Sequence, residues 1–199
     1  MRFNRLVLIG STFLFTLNLF AAKENRDEMK SNRGEEIKSK ENQKAAGQES
    51  VWDYPRPPRV EKTSKSIQVI FHGVVIAETV RAKRVLETGH PPVYYIPLED
   101  VRMEYMIPTS RSTTCEWKGK AVYYDVRVGS KSITSAGWSY PDPAAGYEEI
   151  KDHIAFYPRL MDACYVDDER VIPEPGQYYG GWITSDIVGP FEGEPSRRE

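Results

Sequence analysis

Short runs of alternating apolar and polar residues, frequent Gly and Pro punctuation, and a high tyrosine content predict a mainly antiparallel β domain, with one or two short helices completing an α+β fold. The 199 residues include fourteen glycines, fourteen prolines and twelve tyrosines. At 40% hydrophobic, the chain can build one real core. Twenty-seven basic residues against 29 acidic ones leave a net charge of -2. No basic stripe is present, so no nucleic-acid partner is expected.

Arg2 and Arg5 precede a run, residues 6–22, that is apolar except for Ser11, Thr12, Thr16 and Asn18. This pattern predicts a signal peptide or membrane anchor, and any membrane contact is expected through residues 1–22. The chain would then be exported or tethered; the alternative is a start at Met29 and a cytoplasmic protein. Residues 23–50 carry Lys, Glu, Asn, Ser and Gln without an aromatic side chain. Such a segment cannot bury enough apolar surface to offset its ordering entropy, which predicts a disordered linker. A single domain is expected over residues 51–193, followed by a disordered tail over 194–199.

Each element then follows from its local pattern. Pro55, Pro57 and Pro58 make residues 51–58 an extended surface arm pinned by Trp52 and Tyr54. Residues 67–71 alternate, His72-Gly73 turns, and residues 74–78 return as a hairpin. A strand is expected over residues 81–86. After Gly89-His90-Pro91-Pro92, residues 93–96 form another strand. Leu98, Val101 and Tyr105 recur at helical spacing behind Glu99 and Asp100, predicting a helix of two turns at most.

Residues 113–117 and 120–128 read as strands around Gly119, and Gly129-Ser130 returns the chain into residues 131–139. On such strands Cys115 and Trp117 share one side. Val122, Tyr124, Val126 and Val128 form an apolar face, with Tyr123, Asp125 and Arg127 opposite. Asp142 and Pro143 suit an N-cap and first helical position, predicting a short helix over residues 144–152. Strands over residues 153–157 and 162–166 follow, and Asp167-Asp168 closes a hairpin. Beyond Pro175, only residues 180–184 suggest regular structure.

Several of these segments resemble a bacterial family, domain of unknown function 427. They are the hairpin over residues 73–78, the segment from Pro92 to Val101, the Cys115-Glu116-Trp117-Lys118-Gly119 turn, the strand from Ala136 to Pro141, and the run from Asp152 to Tyr157. The resemblance covers residues 67–171 and brings no activity with it. It implies a β-tent-like fold, two antiparallel sheets meeting at an angle, as in methionine sulfoxide reductase B. Many β-tent proteins hold zinc on four cysteines; Cys115 and Cys164 supply only two, so no structural zinc is expected. The residues identify no other cofactor.

Trp117, Trp138 and Tyr140 are the candidate walls of an aromatic-lined pocket, with Lys118 and His90 at its rim. Taken singly, both tryptophans are read in preference as core packing, and the sharper reading is an aromatic cage open to solvent. A small-molecule-binding module is the leading functional reading. One rival is an enzyme using Cys115 as nucleophile or His153 as base. The other is an interaction module docking through residues 51–58. No established catalytic motif or metal-ligand spacing occurs in the sequence. If the chain is exported, Cys115 and Cys164 are the candidate disulfide.

Overall fold

A computed structural model of the chain describes residues 44–192. The expectations for residues 1–22, for residues 23–43 of the linker and for the tail over 194–199 lie outside the described residues. The domain expected to begin at Val51 includes residues before it. Strand β1 (Glu49–Ser50) pairs in parallel with β15 (Ile187–Val188), the last strand of the described chain. Its pairing partner lies more than 130 residues away, which is why a polar local sequence gave no sign of it.

Between these ends run β2 (Arg59–Lys62), β3 (Ile67–Phe71), β4 (Val74–Thr79), β5 (Lys83–Glu87), β6 (His90–Pro97) and β7 (Met106–Cys115). Next come β8 (Gly119–Val128), β9 (Lys131–Ser139), β10 (His153–Phe156), β11 (Ala163–Val166), β12 (Glu169–Arg170), β13 (Ile172–Pro173) and β14 (Trp182–Ile183). A seven-stranded sheet has the order β2-β5-β6-β10-β9-β8-β7, and a four-stranded sheet the order β12-β11-β3-β4. Every pairing within these two sheets is antiparallel. The expected mainly antiparallel architecture is therefore observed, built on these two larger sheets with the two-stranded pairs β1-β15 and β13-β14 beside them.

The turns form where backbone chemistry permits them. His72 and Gly73 both sit in the left-handed region, at φ 50° and 72°, as a two-residue hairpin loop between paired Phe71 and Val74 requires. Gly129 (φ 57°) and Asp167 (φ 54°) open two further two-residue loops.

The large sheet is buried on both faces at its centre. Tyr94, Ile96, Ile154 and Phe156 point into a core shared with β3, β4 and β11. Their neighbours Tyr95 and Ala155 point the other way, into a second cluster with Val85, Tyr123, Trp138, Tyr140, Tyr147, Ile150 and Tyr157. Strand β8 divides its side chains in the same manner. Val126 and Val128 enter the first cluster, whereas Ala121 and Tyr123 enter the second. Tyr123, expected on the polar side of that strand, is therefore a core residue, because different neighbours cover the two ends of β8.

Neither expected helix forms. Residues 98–105 make two separate 3-10 turns, Leu98–Asp100 and Met103–Tyr105. Val101 between them bridges to Ala77, and the Arg102 amide donates to the Ile76 carbonyl at 2.8 Å. Pairing with β4 takes the backbone groups a helix would use. Over residues 144–152 only Glu148–Ile150 is helical, again as a 3-10 turn. Pro143 bridges to Gly119, the Ala144 amide donates to the Lys118 carbonyl, and Gly146 at φ 90° breaks the path.

Candidate functional site

Trp117 and Trp138 belong to the same aromatic cluster, as their placement around one β meander suggested. They reach it differently. Trp138 lies on β9, 7% exposed, and its indole Nε1–H donates to the Tyr95 hydroxyl at 3.2 Å. Its ring lies 4.4 Å from that of Tyr157. Trp117 is not on a strand. Cys115 pairs with Gly119, which leaves Glu116, Trp117 and Lys118 as the loop between β7 and β8. Gly119 at φ 91° lets the chain re-enter the sheet. Tyr140, 5% exposed, completes the group of three and packs 6.4 Å from Tyr95. Burial is the main reason why the phenols of Tyr95, Tyr140 and Tyr157 are held above their ordinary pKa.

Both rim residues are buried rather than exposed. Lys118 is 8% exposed, and its ammonium faces Glu87 Oε2 at 3.8 Å, beyond hydrogen-bond reach. The other Glu87 oxygen faces the Arg56 guanidinium at 3.5 Å. Among the described residues Lys118 Nζ donates no hydrogen bond. Trp117 Nε1, one residue earlier, is the only buried side-chain N or O without a hydrogen-bond partner among the described residues.

His90 is 6% exposed and lies on β6, where the register pairs it with Glu87 across the Thr88-Gly89 turn. Its Nδ1 is 2.6 Å from Glu174 Oε1, and the Glu174 side chain is 1% exposed. An ionised carboxylate can only accept, so this contact places a proton on Nδ1. The Tyr179 ring lies 4.1 Å from the imidazole.

Glu174 and Tyr179 belong to a strap, residues 174–181, that the sequence did not mark as functional. The Arg159 guanidinium donates to the Gln177 carbonyl at 3.0 Å, and the Gly181 amide donates to Glu174 Oε2 at 3.0 Å. Gly180 lies directly on Trp138: a Cβ there would stand 2.5 Å from the indole ring. Gly180-Gly181 therefore serves close approach of backbone to aromatic rings. Trp182 follows, fully buried 5.2 Å from Tyr94, so the C-terminal extension supplies core as well as cover.

The other sequence candidates lie apart. The His153 Nδ1 pairs with the Lys151 carbonyl at 2.6 Å, in a shallow groove lined also by Lys62, Arg81, Lys83 and Glu99. Cys115 packs against the aromatic cluster and interacts with Tyr140, whereas His153 lines the groove, so the two residues named for the enzyme reading lie in different places. Cys164 is sealed in the first core, where burial pushes its thiol pKa up. The two cysteines occupy different clusters and are free, so the disulfide considered for an exported chain is absent. The 51–58 arm is packed on its own domain through Val51 and Tyr54, and the Pro58 carbonyl accepts from the Tyr147 hydroxyl at 2.8 Å.

A family model described as Domain of unknown function (DUF427) matches residues 59–167. The matched region holds the aromatic cluster, Glu87, His90 and Lys118; Arg56 and the strap lie outside it. No curated protein matches the chain.

Proposed function

We propose that this chain, which belongs to the DUF427 family, is a small-molecule-binding module whose site is the edge of the aromatic cluster at Trp117, Lys118 and Glu87. The observation that carries the reading is the unpartnered indole Nε1–H of Trp117. A buried donor without an acceptor costs about 1–3 kcal/mol, and native structures keep few of them without reason. Here it adjoins the nearly buried Lys118 ammonium, which faces Glu87 at 3.8 Å. Aromatic surface beside one unsatisfied donor and a charged side chain is the composition of a ligand site. The strap over Trp138 and His90 supplies cover for one side of it.

Native mass spectrometry of the protein purified from its own host tests this. The wild-type chain retains a small molecule, and Trp117→Phe, which removes the donor but keeps an aromatic ring, loses it. Equal recovery of bare protein from both would count against a binding module.

A further inference from the structure

We infer that residues 175–180 form a lid over the Trp138–Tyr157 face of the aromatic cluster, swinging on Gly176 and Gly180 while the base of the strap stays fixed. The opening is measured without any ligand; only its purpose, admitting a small molecule to the cluster, rests on the binding reading above.

The base is anchored from both sides. Ile172 and Pro173 pair with Ile183 and Trp182. One step further, the Glu174 amide donates to the Gly181 carbonyl at 3.0 Å, and the Gly181 amide donates to Glu174 Oε2 at 3.0 Å. Glu174 Oε1 is 2.6 Å from His90 Nδ1, and fully buried Trp182 fixes the exit. The two ends of the loop are therefore joined, as in an Ω-loop, and the residues between them can move without unravelling either neighbour.

The tip is held differently. Gly176, Gln177, Tyr178 and Tyr179 are all exposed, Tyr178 at 89%, so no apolar side chain of residues 176–179 enters the core. Its attachments are the Arg159 guanidinium on the Gln177 carbonyl at 3.0 Å, the Tyr157 hydroxyl on the Tyr178 carbonyl at 3.5 Å, and the Tyr179 ring beside His90. Water competes for the first of these bonds, which is exposed, and the second is stretched to the limit of a hydrogen bond. Few buried apolar contacts and solvent-exposed hydrogen bonds mark the low-stability segments from which lids are drawn. Gly176 at φ 88° takes a conformation that side chains disfavour, and Gly180 has no side chain to catch on its neighbours. Beneath the tip, a Cβ on Gly180 would meet Trp138 at 2.5 Å and Tyr157 at 3.3 Å, so the backbone is seated on both rings. Lifting it bares those rings together with the His90 imidazole.

Chemical labelling of the full chain tests the lid. Diethyl pyrocarbonate reports on His90, and a maleimide reports on Cys164, which is sealed in the first core. Each rate is expressed as protection relative to the urea-unfolded chain. His90 should be at least about ten-fold less protected than Cys164, because a local opening reaches it without global unfolding. Arg159→Ala removes the tip's shortest bond from an exposed position. It should lower His90 protection a further about three-fold or more and leave Cys164 unchanged. Equal protection of the two sites in the wild type overturns the lid, since His90 would then be reached only by unfolding. Unchanged His90 labelling in Arg159→Ala also overturns it, as does an equal fall at both sites, which would make Arg159 a support of the whole domain. A lid that opens in a protein retaining nothing from its host leaves this inference standing and counts against the binding module. A retained molecule with His90 no more reactive than Cys164 does the opposite.

Discussion

His90 Nδ1 lies 2.6 Å from Glu174 Oε1, joining the start of β6 to a strap 84 residues further along the chain. The carboxylate is almost wholly buried and accepts the Gly181 amide with its second oxygen. One side chain thus satisfies two buried donors and closes the strap on itself. Both donors belong to buried residues.

Glu174→Ala should therefore orphan both donors, at about 1–3 kcal/mol each. Chemical denaturation of the variant gives the total. Limited proteolysis should show earlier cutting between residues 174 and 181 than in the wild type. A variant with unchanged stability and unchanged cutting would mean that the pair does not hold the strap.

Gly180→Ala tests the close approach from the other side. The new methyl would meet the Trp138 ring at 2.5 Å, so either the strap lifts or the indole shifts. Overpacking of this kind costs about 1–3 kcal/mol. A lowered melting temperature with altered tryptophan emission is the expected outcome.

Trp138→Ala should cost about 3–5 kcal/mol, the range for deleting a large buried aromatic. The ring is 7% exposed, hydrogen-bonded to Tyr95 and packed on Tyr157, which makes it a structural member of the site. Thermal melts of this variant beside Trp117→Phe separate the two roles. The second removes a donor that has no partner to lose and should melt much closer to the wild type.

Alkali should unfold the domain cooperatively. Tyr94, Tyr95, Tyr140 and Tyr157 have pKa values raised above the usual 10.0, in each case chiefly by burial. A raised folded-state pKa leaves this stability fully present below the unfolded value and removes it as pH climbs beyond. The unfolded chain therefore ionises first, and stability falls steeply above about pH 10. Phenolate absorbance from these residues should appear together with loss of circular dichroism. Phenolate formation well before unfolding would contradict their burial.

The hairpins were legible because their determinants are local. His72-Gly73, Gly129-Ser130 and Asp167-Asp168 each put a residue that tolerates positive φ between two alternating runs. The expected helices failed because periodicity at Leu98, Val101 and Tyr105 says nothing about β4. That strand bridges Val101 and leaves only isolated 3-10 turns on either side. Trp117 and Trp138 were legible as companions, since one meander joins them. The preferred reading of core packing holds for Trp138 and in part for Trp117, but the neighbours that cover them, Tyr157, Tyr147 and Gly180, come from later segments and were not legible.

By itself the sequence determined the antiparallel β class, the positions of most turns, the family, and the grouping of Trp117, Trp138 and Tyr140. These depend on side-chain alternation and backbone sterics acting over a few residues. Tertiary structure alone decided that the large sheet is covered on both faces, that Lys118 and His90 are buried, and that Glu87 and Glu174 complete their surroundings. Glu174 stands between two prolines, with no neighbour in sequence to signal its partner. Only when β6 and the strap are brought together does its carboxylate meet His90, because hydrogen bonding depends on distance in space and not along the chain.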